Sequence, residues 1–526
     1  TSLDAKLVMS MKILEYVLLS APGAPLKQAI LDAKIGQDIL SDFDSSIMQP
    51  MFSIIAKNAN ESDKDQFLKV IEETLDKIVK NGIDEKALRA AINFYEFKYR
   101  EADFGQFPKG LMYGIQLLES WLYDDSKPFA HMEANQIFAF LKEQIGSGYF
   151  EELIKQYLIN NNHVSVVIVK PEIGLTAKVE EEIKKKLESY KASLSDDEIN
   201  QIIENTKELT KYQEQASTAE ELQSIPLLAR EDIGKDAQPI YNKIKMIDST
   251  TVVQHDIFTN QIAYLRILFD AKYVPNDLVP YIGLLSTVLG YVDTEKNSFL
   301  ELSNEINIHT GGINTFISTY VKKNDITNYK PVLAFKIKVL YQELGVAMEL
   351  LNEIIHESKL GDSKRMLEIL MEIKSRLQMK LNSSGHSVAV SRATSYYSQA
   401  AMFDELTNGI SYYRFIEKLV NDFDNKHEEI TNNLKQVMDC LFRKDTVLLS
   451  VTADDEGYQL FDPFIKPFID RLSNVQINTS LGKFDCEKLN EGFKTASKVQ
   501  YVARTGNYRE DGYSYTGVLR VLKSIL

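Results

Sequence analysis

The sequence predicts an α+β protein built from repeated two-layer mixed α/β domains joined by a helical hairpin. Three observations carry this. Helical and strand periodicities alternate along the chain. Two polar amphipathic helices stand back to back between about Val179 and Ile233. A weak internal repeat relates the sequence before them to the sequence after. A chain of 526 residues suggests roughly three or four units, and its 44% hydrophobic and 26% charged residues are ordinary globular composition.

Taken in order, Thr1 to Leu19 enters a helix at once, with Leu7, Met11, Leu14 and Leu18 on one face. A start inside such a helix, without methionine, reads as a piece of something longer. Ser20 to Pro25 is a turn, Leu26 to Ala33 a short helix, and Met51 to Lys57 a strand on its alternating Phe52, Ile54 and Ala56. A capped helix from Ser62 places Phe67, Val70, Ile71, Leu75 and Ile78 on one side and stops at Asn81-Gly82; Ile83 to Tyr99 is the next. His163 to Lys170, with Val164, Val166, Val167 and Val169, predicts a strand.

In the hairpin, Val179, Ile183, Leu187 and Tyr190 form one narrow stripe, and Ile199, Ile202, Ile203, Thr206, Leu209 and Tyr212 a second. Ser195-Asp196-Asp197-Glu198 and Thr218-Ala219-Glu220-Glu221 have the form of capping boxes, in which hydroxyl and carboxylate satisfy orphan backbone amides. Ile225-Pro226-Leu227 ends the helical pattern. Two readings fit this stretch, a helical subdomain or a connector between two groups of domains.

Beyond it, Ile240 to Asp256 and Gln261 to Phe269 read as a pair of strands, Asp277 to Val288 and Glu301 to Ile306 as helices, and Thr310 to Ile313 as a turn. Strands are expected at Thr315 to Tyr320, Leu333 to Leu340 and Thr446 to Thr452, and helices at Glu343 to Ile355, Lys364 to Leu381, Ser395 to Ala401 and His427 to Leu441. The repeat rests on three matches in order. Leu158 to Glu172 aligns with Leu441 to Asp455, and Phe97 to Arg100 with Ile373 to Arg376 as helix ends. Tyr515 to Leu522 resembles the opening of a unit whose first helix is the one at Leu7.

Several function classes are disfavoured. A net charge of −15 without a concentrated basic face argues against nucleic acid. No continuous apolar run reaches the roughly 18 to 20 residues of a membrane span. Cys440 and Cys486 make neither a disulfide framework nor a thiolate zinc site and favour a reducing compartment. Helical hydrolytic zinc sites need two histidines three or four residues apart with a carboxylate between them. Here the histidines (131, 163, 255, 309, 356, 386 and 427) are never closer than 30 residues. His356 and His427 read as solvated helix residues, Cys440 as a packing thiol, and Thr310-Gly311-Gly312-Ile313 as a tight turn. There is no nucleophile elbow and no phosphate-cradling glycine loop.

Arg100-Glu101-Ala102-Asp103-Phe104-Gly105-Gln106-Phe107-Pro108-Lys109-Gly110-Leu111, followed by Trp121 to Asp124 and Pro128-Phe129, resembles the second domain of the pitrilysin and insulinase family of inverted-zincin metalloproteases, in its presequence-protease branch. Ser20 to Leu26 and Ile225 to Ile233 resemble that branch's Ser-Pro-Leu loop and hairpin exit. Thr310 to Ile313 and Ser384 to Ala393 resemble third-domain landmarks. The resemblance covers nearly the whole chain and implies the LuxS/pitrilysin-like metalloprotease fold.

It implies a second peptidase-like domain at 1–175 lacking its first strand, a helical hairpin linker at 176–240, and a third, non-zinc domain at 241–455. A connection at 456–494 and the first strand and helix of a fourth domain at 495–526 follow. The family's zinc motif, His-x-x-Glu-His with a later Glu, would lie in a first domain ahead of Thr1, and the substrate-orienting Arg and Tyr beyond Leu526. Setting Gly290 against the glycine after the zinc helix puts Tyr281-Ile282-Gly283-Leu284-Leu285 at the motif, so Tyr281, Leu284 and Leu285 are its degenerate remnant. Arg100, Asp103, Gly105, Pro108, Gly110, Gly311 and Gly312 are signature-loop residues, structural or chamber-lining.

The implied function is the non-catalytic middle part of a zinc metalloendopeptidase that degrades unfolded peptides inside a closed chamber. Zinc belongs to the parent enzyme, not to this chain, which alone should be inactive. Expected partners are unfolded peptides and the remainder of the same protein, in the cytoplasm or an organelle. The alternatives are a natural non-catalytic scaffold or subunit of the same fold, and a peptide-binding module.

Overall fold

A computed structural model describes residues 1–226, 229–236, 239–322, 325–495 and 499–526. The protein is mixed helix and open sheet, as an α+β fold requires. It forms two compact units, one of Thr1–Asn162 with Tyr241–Leu526, the other of His163–Ile240.

The first unit holds two cores. The N-terminal core gathers α1 (Ala5–Glu15), α2 (Pro25–Asp32), β1 (Asp38–Asp44), β2 (Met51–Lys57), α3 (Lys64–Asn81), α4 (Glu85–Glu101), α5 (Lys109–Trp121), α6 (Ala134–Glu143) and α7 (Tyr149–Ile154). Asp4 caps α1 by accepting from the Leu7 amide, and Pro25 opens α2, where its missing N–H costs nothing. Gly82, at φ +86°, ends α3. β1 and β2 pair antiparallel from Asp38 opposite Lys57 to Asp44 opposite Met51. Leu14, Leu18, Ile92, Leu141 and Phe150 are fully buried between these elements. Among the described residues Ala5–Asp32 is the one stretch with the length and composition of a membrane span, yet Ile13, Leu14, Leu18 and Leu26 are completely enclosed in this core.

The second core is larger. β3 (Asn242–Ile247), β4 (Thr250–His255), β5 (Ile262–Asp270), β6 (Ile313–Lys322), β7 (Asp325–Leu340) and β8 (Val447–Thr452) form one sheet in the order β3-β4-β8-β5-β7-β6. Among the described strands only the β4–β8 pair is parallel. Its helices are α11 (Val279–Val288), α12 (Phe299–His309), α13 (Leu344–His356), α14 (Ser363–Ser383), α15 (Gly385–Ser395), α16 (Gln399–Asn408), α17 (Ile410–Asn421), α18 (Phe423–Leu441) and α19 (Asp455–Arg471). Leu265, Ile267 and Phe269 of β5 and Phe335, Ile337 and Val339 of β7 all point to one buried side. α20 (Gly517–Ile525) carries no buried residue.

In the second unit, α8 (Leu175–Ser193), α9 (Asp196–Glu214) and α10 (Ala219–Gln223) follow one another. Both capping boxes form. The Ser195 amide donates to Glu198 Oε2 at 2.8 Å and the Glu198 amide to Ser195 Oγ at 3.3 Å; Thr218 and Glu221 do the same at 2.7 and 3.2 Å. Leu227 and Leu228 lie outside the described residues, so the expected stop at Ile225-Pro226-Leu227 is described only to Pro226.

The structure corrects several expectations. His163–Lys170 forms no strand: it joins no ladder among the described strands, and a strand exists only as part of one. The two hairpin stripes are not buried; Ile183 is 51% exposed and Leu187 59%, because no element of that unit covers them. The predicted strand at Ile240–Asp256 is itself a hairpin turning at Asp248 (φ +53°), and β8 separates it from β5. Ile373–Arg376 lies inside α14, not at a helix end, and Ser395–Ala401 straddles the break between α15 and α16.

α19, in the stretch read as a connection, buries Tyr458, Phe461, Ile465 and Phe468 in the second core. Residues 472–495 then run over that domain, held by Gln399 to Phe484 at 2.7 and 2.9 Å and by Arg392 to Glu491 at 2.7 Å. No strand forms among the described residues of 495–516. β1, α5, α6, α7, α17 and α19 are elements that the local sequence pattern did not reveal.

Because α8 and α9 keep their apolar stripes uncovered, they lack the packing that sustains most protein helices. Their amides should exchange with solvent at least ~100-fold faster than those of β5 and β8 in hydrogen-exchange mass spectrometry; equal protection would mean the stripes are buried.

Candidate functional site

The two cores of the first unit meet where the Arg100–Leu111 signature loop reaches the Thr310–Ile313 turn. α4 packs on α12 and ends at Ala102, which takes a left-handed conformation (φ +47°) that turns the chain toward β7. Asp103 then accepts from the Gly105 amide at 3.0 Å, with Gly105 at φ +62°. Lys338 of β7 donates to Glu101 Oε2 at 2.7 Å and Asp103 Oδ2 at 3.1 Å. The Gly311 amide donates to the Lys338 carbonyl at 2.7 Å. A Cβ on Gly311 would stand 2.2 Å from the Phe97 ring, so only glycine fits there.

The electrostatics follow from this geometry. The Gly105 amide and Lys338 hold the Asp103 carboxyl below its usual range. Burial alone would depress the Lys338 ammonium, but Glu101 and Asp103 together raise it. Burial, with Glu101 beside it, pushes the Tyr264 hydroxyl up to about 12.

Asp103, Gly105, Gly311 and Gly312 therefore come to one junction, with Gly312 (φ +116°) receiving the Lys338 amide on its carbonyl at 3.3 Å. The other signature residues do not share it. Arg100 turns back to Glu96 at 2.6 Å, Pro108 precedes α5, and open space surrounds Gly110. Sequence reasoning missed Phe97, Glu101 and Lys338; the signal was the doubled glycine of Gly311-Gly312, which invites a close neighbour.

Beside the junction lies a cavity of about 340 Å³, bounded by Tyr16, Gly23 and Lys27 from the N-terminal domain and by Asn307, Gly312 and Arg376 from the other. Asn307 Nδ2 donates to the Tyr16 hydroxyl at 3.0 Å, and burial pushes that hydroxyl up to about 12. Asp38, on the cavity wall, is 1% exposed, and neither carboxylate oxygen has a hydrogen-bond partner among the described residues. Lys27 stands 3.5 Å from it and 3.6 Å from Glu372. Burial raises the Asp38 carboxyl above its usual value, with Lys27 acting against it.

Tyr281, Leu284 and Leu285 sit on α11 inside the second core, at 5%, 0% and 0% exposure. Gly283 between them lets α11 approach α16 and α17, since a Cβ there would lie 2.6 Å from the Thr407 carbonyl. A phenol and two isobutyl groups enclosed by apolar side chains offer zinc no donor set. Among the described residues no three His, Cys, Asp or Glu side chains are grouped to hold a metal, so zinc does not fit them. His255 lies between Asn242 Oδ1 at 2.6 Å and Ser450 Oγ at 3.0 Å, His309 between Glu305 and Glu343, and His131 against the Ser2 carbonyl.

Two outcomes are expected. Gly311→Ala should cost about 1–3 kcal/mol in denaturant unfolding by overpacking against Phe97, and Phe97→Ala should remove most of that added cost in a double-mutant cycle. Asp38→Asn should stabilise the protein at pH 7. A carboxyl raised in the folded state costs stability when ionised, so the cost is absent below the ordinary aspartate range of about 4 and grows as pH rises through the folded value. The variant's gain in unfolding midpoint should shrink toward pH 4; a gain independent of pH would contradict the assignment.

Comparison with known proteins bears on this architecture. A family model for the associated region of M16 peptidases of subfamily C matches residues 169–419, and one described as Peptidase M16 inactive domain matches residues 1–95. Protein HypA of Clostridium perfringens is 38% identical over 523 residues, 99% of this chain and 53% of its own length. Presequence protease 1, chloroplastic/mitochondrial, of Arabidopsis thaliana is 26% identical over 530 residues, 99% of this chain and 48% of its own. The mitochondrial presequence protease of Danio rerio is 22% identical over 456 residues, 85% of this chain and 43% of its own. The chain thus spans about half the length of the curated relatives it matches. With the signature loops meeting at one junction and the two family models matching segments of both domains, this chain belongs to the M16 (pitrilysin and insulinase) peptidase family, in its presequence-protease branch.

Proposed function

We propose that this chain is the non-catalytic middle part of a zinc metalloendopeptidase that degrades unfolded peptides inside a closed chamber. The first unit supplies chamber wall, and residues 163–240 act as the hinge. The carrying observation is α11: at the position the resemblance assigns to the zinc motif, Tyr281, Leu284 and Leu285 are packing residues, and a match to an inactive M16 domain accompanies them. The junction at Gly311 and Lys338 supports the wall role, since it fixes two domains against each other. The exposed stripes of α8 and α9 support the hinge role, because a connector with little buried surface moves at little energetic expense.

Zinc, the general base and the groups that orient substrate belong to the remainder of the parent protein, the partner of this chain along with the peptides themselves. Two free thiols, Cys440 and Cys486, fit a reducing compartment, cytoplasm or organelle. Zinc added to the purified chain with a fluorogenic unfolded peptide should give no turnover above background. Chelator-sensitive cleavage would overturn the non-catalytic reading.

A further inference from the structure

The outer face of the six-stranded sheet carries a pair of cations that repel each other. In the β5–β7 ladder Arg266 stands directly opposite Lys336, and in the β5–β8 ladder Arg266 is also opposite Ser450. Their strand neighbours Leu265, Ile267, Phe335 and Ile337 are buried at 1% or less, so both cations project from the side away from the core. Like charges directly opposite in an antiparallel ladder destabilise the sheet. Neither makes a hydrogen bond or ion pair with a described side chain. The carboxylates beside them, Glu101 and Asp103, are drawn to Lys338, and Asp270 at the strand end pairs with Lys330 at 3.4 Å. The face is therefore locally cationic on a chain of net charge −15.

The next row along the same face is apolar: Leu268 opposite Ala334 and Leu448, and Ala334 opposite Phe316. Two positions along a strand is roughly 7 Å, the reach from a chain-terminal carboxylate to its own side chain. A guanidinium fork beside an ammonium suits a planar carboxylate, and the adjoining row suits an apolar side chain.

We propose that Arg266 and Lys336 form a binding site for the C-terminal carboxylate of a peptide whose last side chain is apolar, that side chain resting on Leu268 and Phe316. This rests on the peptide-handling reading above and names the chemical group the wall would hold. Bound carboxylate would also relieve the Arg266–Lys336 repulsion, which gives the pair a reason to persist.

The test uses the 526-residue chain and a fluorescent peptide ending in leucine, as free acid and as C-terminal amide, with binding read by anisotropy. The free acid should bind at least tenfold more tightly than the amide, and Arg266→Gln with Lys336→Gln should abolish that preference. Lys330→Gln, at a cation already paired with Asp270, should leave it intact. The double variant should also unfold at no lower temperature than the parent, since it loses a repulsion, so loss of preference would not reflect misfolding. Equal binding of acid and amide, no binding of either at millimolar concentration, an unchanged preference in the double variant, or competition by inorganic phosphate but not by free-acid peptide would each overturn the site. Zinc-dependent cleavage by this chain would overturn the non-catalytic reading while leaving the preference standing.

Discussion

The arrangement of the first unit depends on one close approach, Gly311 against the Phe97 ring, with Lys338 drawn between Glu101 and Asp103 beside it. A side chain at 311 would hold α4 and the β6 turn apart, and without that proximity the Lys338 ammonium would have no reason to leave water. Steric permission and charge pairing therefore act together. The first admits the second, and the low exposure of Lys338 makes its pairing stronger than a surface ion pair would be. Elsewhere along the same interface Lys364 reaches Asp32 at 2.6 Å and Lys57 the Ser375 carbonyl at 3.0 Å, contacts between exposed or half-buried groups that add registration more than stability.

Against this joined body, the second unit is built on the opposite principle. Its helices are specified locally, by two capping boxes and by helix-forming composition, and bury almost nothing. A core domain gains its stability from apolar area, whereas a connector needs only enough local order to keep its length. α11 makes a third contrast. Its apolar filling by Ile282, Leu284 and Leu285 turns a position that family resemblance links to metal chemistry into the centre of a packed core.

Much of this was legible in the sequence where the signal is local. The caps at Ser195 and Thr218, the Gly82 stop and the alternation in β2 each act within a few residues, and each formed where the pattern places it. Signals that depend on a distant partner were not legible. The valines at 164, 166 and 169 alternate as a strand should, but alternation says nothing about whether a neighbouring edge exists. β8 enters the sheet between β4 and β5, separating segments that adjacency in sequence would pair. At the candidate junction the glycines and Asp103 were visible as a family signature, while Phe97, Glu101 and Lys338 were not, because nothing local distinguishes a helix phenylalanine or a strand lysine whose role is to meet a loop more than two hundred residues away.

The two domains of the first unit, joined at Gly311 and Lys338, should stand as one cooperative body. Denaturant unfolding of a Cys486→Ser variant tests this with two reporters: fluorescence of Trp121, the sole tryptophan, in the N-terminal domain, and thiol labelling of Cys440, 6% exposed in the other. Coincident midpoints for the two probes are the predicted result. Separate transitions, one domain melting while the other still protects its reporter, would contradict it.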